Sequence, residues 1–229
     1  GGYFGAGWLV RQRPELVEDV GFVLNEGGGG RLVGTTPVFG VEVTQKIPLW
    51  VRVTARGTPG HGSSPRVETA PHALVRALDR IVRQRFEPRL LPTVDTFLRR
   101  LADLQPPALA PLHEDPAALV DDPEALLKLQ LESPATHALL RDTCSVTRLG
   151  ASLKINVIPG TAWAELDCRL LPDTDPDAFL DKLAILVDDP GIQLTRLMGF
   201  TAASSSPATE LYEAIESTLL EALPAARVV

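Results

Sequence analysis

The 229 residues carry 22 Lys and Arg against 29 Asp and Glu, a formal net charge of −7, with 45% hydrophobic and 22% charged residues. That composition suits a globular chain with ample core for one large domain or two small ones. It argues against nucleic-acid binding, because no basic stripe interleaved with aromatics appears, and no apolar run approaches the ~20 residues that cross a bilayer.

In chain order, Gly5 to Val10 predicts a helix and Asp19 to Leu24 a buried strand. Asn25, Glu26 and the run Gly27 to Gly30 end that strand in a flexible loop. Glu26 then stands at the carboxyl end of a strand, where open α/β sheets place their chemistry, although taken alone it is also a solvated carboxylate. The glycine run lacks both G-x-G-x-x-G spacing and a Gly-Lys-Ser/Thr ending, so it is not a phosphate loop.

Leu49, Val51, Val53 and Ala55 alternate with Trp50, Arg52, Thr54 and Arg56, the pattern of a strand with one apolar face. The turn Thr58-Pro59-Gly60-His61-Gly62-Ser63-Ser64-Pro65 follows, which sets one imidazole between glycines where a side chain can be aimed outward. A helix is expected from there, with Ser64 as N-cap and Pro65 in its first turn, and an apolar stripe from Ala70 to Val82. Residues of about 88–141 are rich in Pro and Leu and read as an insert of short helices.

Pro159-Gly160 divides Leu153–Ile158 from Thr161–Leu170, which reads as a hairpin with Asn156 facing Trp163. Leu153, Ile155 and Val157 would share the buried face with Ala162, Ala164, Leu166, Cys168 and Leu170, and Asn156 and Arg169 would share the other. That register puts Cys168 opposite Ala151 and away from Cys144, so the two cysteines are expected as buried thiols. Asp175-Pro176 opens a helix to about Val187, Ile192 to Leu197 is a last strand, and residues 207–223 have helical periodicity. The order βαββαβ is that of a ferredoxin-like sandwich. Residues of about 46–200 are thus expected to interrupt an α/β domain formed by residues 1–45 and 201–229.

A His, an Asn and, thirteen residues after the Asn, an Arg can grip a carboxylate and polarise a carbonyl. Leu24-Asn25-Glu26-Gly27-Gly28, the Pro-Gly-His-x-Ser-Ser-Pro turn with Glu68-Thr69, Asn156-Val157-Ile158-Pro159 and Arg169 occur in that order. With this set the chain resembles the aminoacylase/carboxypeptidase family of di-zinc metallopeptidases, in particular its carboxypeptidase S-like branch of N-acyl-amino-acid hydrolases.

The resemblance implies a catalytic α/β domain interrupted by a ferredoxin-like lid that also dimerises. It implies a small substrate, an N-acyl amino acid or short peptide with a free carboxylate, cleaved at its amide bond with two zinc ions. Glu26 would bind one zinc, His61 and Asn156 would contact the scissile carbonyl or its oxyanion, and Arg169 would hold a substrate carboxylate. The family's other metal ligands and its general base fall outside this sequence, which reads as an excerpt of a longer protein, inactive alone.

Plainer readings stand beside these. Asn156 could cap a strand end, Arg169 could pair with Asp167 or Glu165, and His72, His113 and His137 have no motif and are left as surface or helix residues. The rival reading of the whole is a non-catalytic ferredoxin-like module that self-associates, which leaves the co-occurrence of His61, Asn156 and Arg169 without a reason. RNA binding on the open sheet lacks stacking aromatics and positive charge.

Overall fold

A computed structural model describes residues 5–229 and divides them into two compact units, one of residues up to Glu42 with Ser206–Val228 and one of Val43–Ser205.

In the first unit, helix α1 (Ala6–Gln12) leads to a hairpin of β1 (Gly29–Val33) and β2 (Thr36–Gly40). Gly34, at φ +61°, takes its first corner, a conformation closed to most side chains. The expected buried strand at Asp19–Leu24 is not formed. Val20, Phe22, Val23 and Leu24 are exposed and make no ladder. An apolar run becomes a strand only with a neighbour to bond and a layer to cover it, and the described residues of this unit supply neither there.

The second unit is built on β3 (Ile47–Arg56). After a two-residue strand β4 (Gly60–His61) comes α2 (Ala70–Arg83), and the insert holds α3 (Pro92–Leu101), α4 (Ala110–Glu114), α5 (Pro116–Asp121), α6 (Pro123–Glu132) and α7 (Pro134–Ala138). Each insert helix carries Pro in its first turn, where the missing N–H costs no hydrogen bond. The insert has its own core, with Leu98, Leu119, Leu129 and Leu140 among its buried members.

Strand β5 (Thr143–Gly150), the two-residue β6 (Val157–Ile158), β7 (Thr161–Leu170), α8 (Pro176–Val187) and β8 (Ile192–Gly199) complete this unit. The antiparallel order is β5-β7-β3-β8, the ferredoxin-like arrangement. Leu49, Val51, Val53, Ala164, Leu166 and Leu170 on one face meet Leu74, Ala77 and Ile81 of α2 and Phe179 and Leu183 of α8. The chain then returns to the first unit as α9 (Glu210–Ala222) and β9 (Arg227–Val228), which lies parallel to β2.

Three local expectations are corrected. Helix α2 starts at Ala70 with Thr69 as its N-cap, accepting from the His72 N–H at 3.3 Å, rather than after Ser64. The partner of β7 is Thr143–Gly150 and not Leu153–Ile158, whose Leu153 and Ile155 stand fully exposed. Favoured two-residue hairpin turns need φ > 0 at their first corner, and proline at residue 159 is locked near −65°. With that shift of partner, Cys144 lies directly opposite Cys168, their Cα atoms 4.0 Å apart, and the two form a disulfide rather than buried thiols.

His113 and His137 lie on α4 and α7 and are buried, not at the surface. Burial lowers both pKa values, and for His137, which also feels Arg141, Arg85 and Lys46, the value falls from 6.5 to about 4. Between those limits the unfolded chain binds the proton that the folded chain refuses, so the stability present above pH 6.5 is lost as pH falls toward 4. A shift of one unit corresponds to about 1.4 kcal/mol, and each kcal/mol moves the melting temperature by roughly 2–4 °C in a domain of this size. Thermal unfolding followed from pH 7 to 4.5 should therefore show a smaller acid loss in His137→Leu than in the parent chain; parallel curves would refute this origin.

Candidate functional site

The turn that carries His61 is tied to the chain around Asn156 by main-chain bonds. Gly60 pairs with Ile158 and His61 with Val157, the Gly62 N–H donates to the Asn156 carbonyl at 2.8 Å, and the Gly57 N–H donates to the Gly160 carbonyl at 2.9 Å. A Cβ at Gly62 would stand 3.4 Å from the Asn156 carbonyl oxygen, an ordinary contact. Two motifs almost a hundred residues apart in sequence are thereby held as one small ribbon at one end of the sheet.

Within it, the Ser63 N–H donates to Nδ1 of His61 at 3.2 Å, and the Ser63 hydroxyl lies 2.8 Å from the same nitrogen. An imidazole whose Nδ1 accepts carries its proton, when neutral, on Nε2. His61 is exposed, so the ring presents Nε2–H as a donor. Asn156 is also exposed, on a turn closed by the Val157 N–H donating to the Lys154 carbonyl at 3.2 Å and braced by Ser152, whose hydroxyl donates to the same carbonyl at 2.9 Å.

Arg169 is elsewhere. In the β3–β7 ladder Thr161 faces Arg56 while Arg169 faces Pro48, so Arg169 lies at the far end of β7, about 27 Å along the strand at some 3.4 Å per residue. Asn156 therefore does not share a sheet face with Arg169 as the hairpin reading required. The Arg169 guanidinium makes two bonds to Asp167, at 2.8 and 3.2 Å. Glu165 is taken by others: it pairs with Arg52, and with Arg148 at 2.7 Å, while both guanidinium groups lie over the Trp163 ring at 4.8 and 5.5 Å. The hydrogen bond from Arg52, with Arg148 adding to it, holds the Glu165 carboxyl below its usual range.

Sequence reasoning missed Lys46, next to the Arg169 end. Its ammonium donates to the carbonyls of Ala138 and Arg141 at 2.8 and 2.7 Å and to the Thr143 hydroxyl at 3.1 Å, which ties the start of β3 to the end of the insert. Burial lowers its pKa to about 8, with Asp142 opposing and Arg169 adding to the shift. A lysine just before an apolar strand gives no signal in sequence that its three donors will close a loop.

Glu26 belongs to the first unit, exposed in a bend between Leu24 and β1. Of the glycines after it, Gly28 has φ +65°, and a Cβ there would fall 2.2 Å from the Gly40 carbonyl oxygen. Among the described residues no group of three or more His, Cys, Asp or Glu could hold a metal ion, and no helix is long and apolar enough to cross a membrane.

Comparison with known proteins identifies relatives of the chain. The family model described as the peptidase dimerisation domain matches residues 43–194. The N-fatty-acyl-amino acid synthase/hydrolase PM20D1 of Xenopus tropicalis is 30% identical over 213 residues, which cover 90% of this chain and 41% of that protein. Human aminoacylase-1 is 30% identical over 184 residues, covering 80% of this chain and 35% of the enzyme. The chain thus spans about two fifths of the length of such relatives. In fold it is similar to the M20 family metallo-carboxypeptidase Sso-CP2 of Sulfolobus solfataricus, with a TM-score of 0.57 and 16% identity over 82% of this chain and 52% of that one.

Zinc does not fit the residues of this chain by themselves. A zinc shell takes three or four protein ligands, and Glu26 has no second and third ligand grouped with it among the described residues. The chain alone should therefore bind zinc weakly. Stoichiometric, tight zinc binding in titration calorimetry would contradict this.

Proposed function

The chain belongs to the M20 peptidase family through its dimerisation domain, and on that premise we propose that it is the lid-bearing part of a zinc-dependent amidohydrolase. The substrate is an N-acyl amino acid, or a short peptide with a free carboxylate, cleaved at its amide bond. Residues 46–200 are the lid and dimerisation domain, and residues 1–45 and 201–229 are parts of the catalytic domain it interrupts. The relatives that cover most of this chain include proteins named for N-acyl amino acid chemistry, PM20D1 and aminoacylase-1.

The observation that carries the reading is the ribbon joining His61 to Asn156. It fixes an imidazole Nε2–H and a carboxamide on two exposed turns whose backbones are bonded to each other. Such donors, set in place before the reaction, stabilise the oxygen of a scissile amide as it takes on negative charge. Asp167 takes two of the five guanidinium N–H groups of Arg169, and the group is suited to the substrate carboxylate. Glu26 is one carboxylate of a metal shell completed from outside this sequence.

The distance along β7 bears on how these groups are used. A short substrate does not reach from His61 and Asn156 to Arg169 at the opposite end of the same ladder. In a homodimer the two ends serve different sites, with His61 and Asn156 reaching the active site of the second copy and Arg169 that of its own.

In the full-length protein, His61→Ala and Asn156→Ala should each lower kcat about 10²–10³-fold while leaving the zinc content unchanged. Mixing a His61→Ala enzyme with one that lacks its general base should restore activity, because only the mixed dimer joins a sound base to a sound His61. Near-normal turnover in both single variants would remove the oxyanion role. Damaged variants without rescue, despite measured subunit exchange, would place His61 in its own subunit's site.

A further inference from the structure

Among the described residues the three most exposed large aliphatic side chains are Ile155 (106%), Leu153 (103%) and Val67 (102%). All three belong to the two loops that meet in the His61–Asn156 ribbon. A single exposed aliphatic residue needs no explanation, but Leu153 and Ile155, two at full exposure within three residues, do, and more so beside Asn156. The tip has a defined local shape. Its turn is closed by a main-chain bond from the Val157 N–H to the Lys154 carbonyl, and Ser152 is bonded to both the N–H and the carbonyl of Lys154. Turn corners ordinarily carry Gly, Pro, Asn, Asp or Ser, and Ile155 stands in such a corner immediately before Asn156.

We infer that Leu153 and Ile155 are specificity-determining residues that bind the acyl chain of the substrate, so that the site favours N-acyl amino acids with long apolar acyl groups. The inference rests on the amidohydrolase reading above. A group held by Asn156 and His61 at its amide oxygen has its neighbouring atoms against the residues next to Asn156 in the turn. Those are two aliphatic side chains and one cation, Lys154, the one charged side chain between Ser152 and Ile158. A hydrocarbon tail matches the aliphatic pair, on which its burial is favourable, while the carboxylate on the far side of the amide stays with Arg169 as proposed above.

The experiment compares N-acetyl-leucine with N-dodecanoyl-leucine on the full-length protein and on its Leu153→Ser/Ile155→Ser variant. Both positions are solvent-exposed in this chain, so the exchange spares the core of its sheet and helices. The wild type should prefer the dodecanoyl substrate, and the variant should lose that preference by about tenfold for each residue changed. A ratio of the two kcat/KM values that stays constant would overturn the inference. That includes an equal fall on both substrates, which would make the tip an anchor on a second copy of the chain. If the wild type cleaves neither compound, the amidohydrolase reading fails, and equilibrium dialysis with labelled N-dodecanoyl-leucine then judges the tip alone. Retention at least tenfold weaker in the variant would uphold it, and equal retention or none would overturn it.

Discussion

The ten-residue antiparallel ladder between Ile47–Arg56 and Thr161–Leu170 is the constraint from which the larger unit follows. It is unbroken from Ile47 facing Leu170 to Arg56 facing Thr161, so the period-two alternation of both strands stays in phase over its whole length. One face becomes continuous apolar surface, which the two helices cover; the other collects Arg52, Arg148, Glu165 and Trp163 into an ion-paired cluster that needs no cover. A slip of one residue would turn Leu49, Val51 and Val53 to solvent and drive Arg52 into the helices. No local interaction could offset that. The ladder also sets the polar groups: the His61 turn leaves from one end, and Arg169, with Lys46 tying down the insert, sits at the other.

What was legible in the sequence follows the strength of periodicity. The strand at Ile47–Arg56, the strand at Thr161–Leu170, the helices at Ala70–Arg83 and Pro176–Val187 and the strand at Ile192–Gly199 each carry a full face of apolar residues at the right spacing. Pairing partners were not legible in the same way. Leu153, Ile155 and Val157 alternate as well as any strand, yet the first two lie wholly in water, because Pro159 denies the turn that would fold them back. Thr143–Gly150 takes the place instead, and with it Cys144 comes opposite Cys168. Alternation reports a face, not a neighbour. The same holds at Asp19–Leu24, where an apolar run has no ladder to join among the described residues.

The candidate site was legible as a set of residue types and not as a place. His61 and Asn156 stand out in the sequence, but the bond between their loops, from the Gly62 N–H to the Asn156 carbonyl, involves main-chain atoms that every residue has. Arg169 is paired with Asp167, as the plainer reading had it, and is set apart from the ribbon. The buried histidines of the insert gave no trace at all: an imidazole on a short helix looks the same in sequence whether the helix faces water or a core.

Loss of the hairpin is what makes the ribbon available. Had Leu153–Ile158 paired with Thr161–Leu170, Asn156 would have faced Trp163 within the sheet, its position fixed by strand spacing and its amide committed to the sheet surface. Released from β7, residues 151–158 leave the sheet edge and bond to Gly60 and His61 outside it. The polar groups then stand on a projection whose residues 151–157 are exposed, so chemistry and stability draw on different residues. A substitution at Leu166 is felt by the packing between sheet and helices, whereas one at Asn156 or Ile155 alters only what the projection meets. That separation lets a lid change what it recognises without re-solving its fold, and it begins with one proline that cannot turn a hairpin.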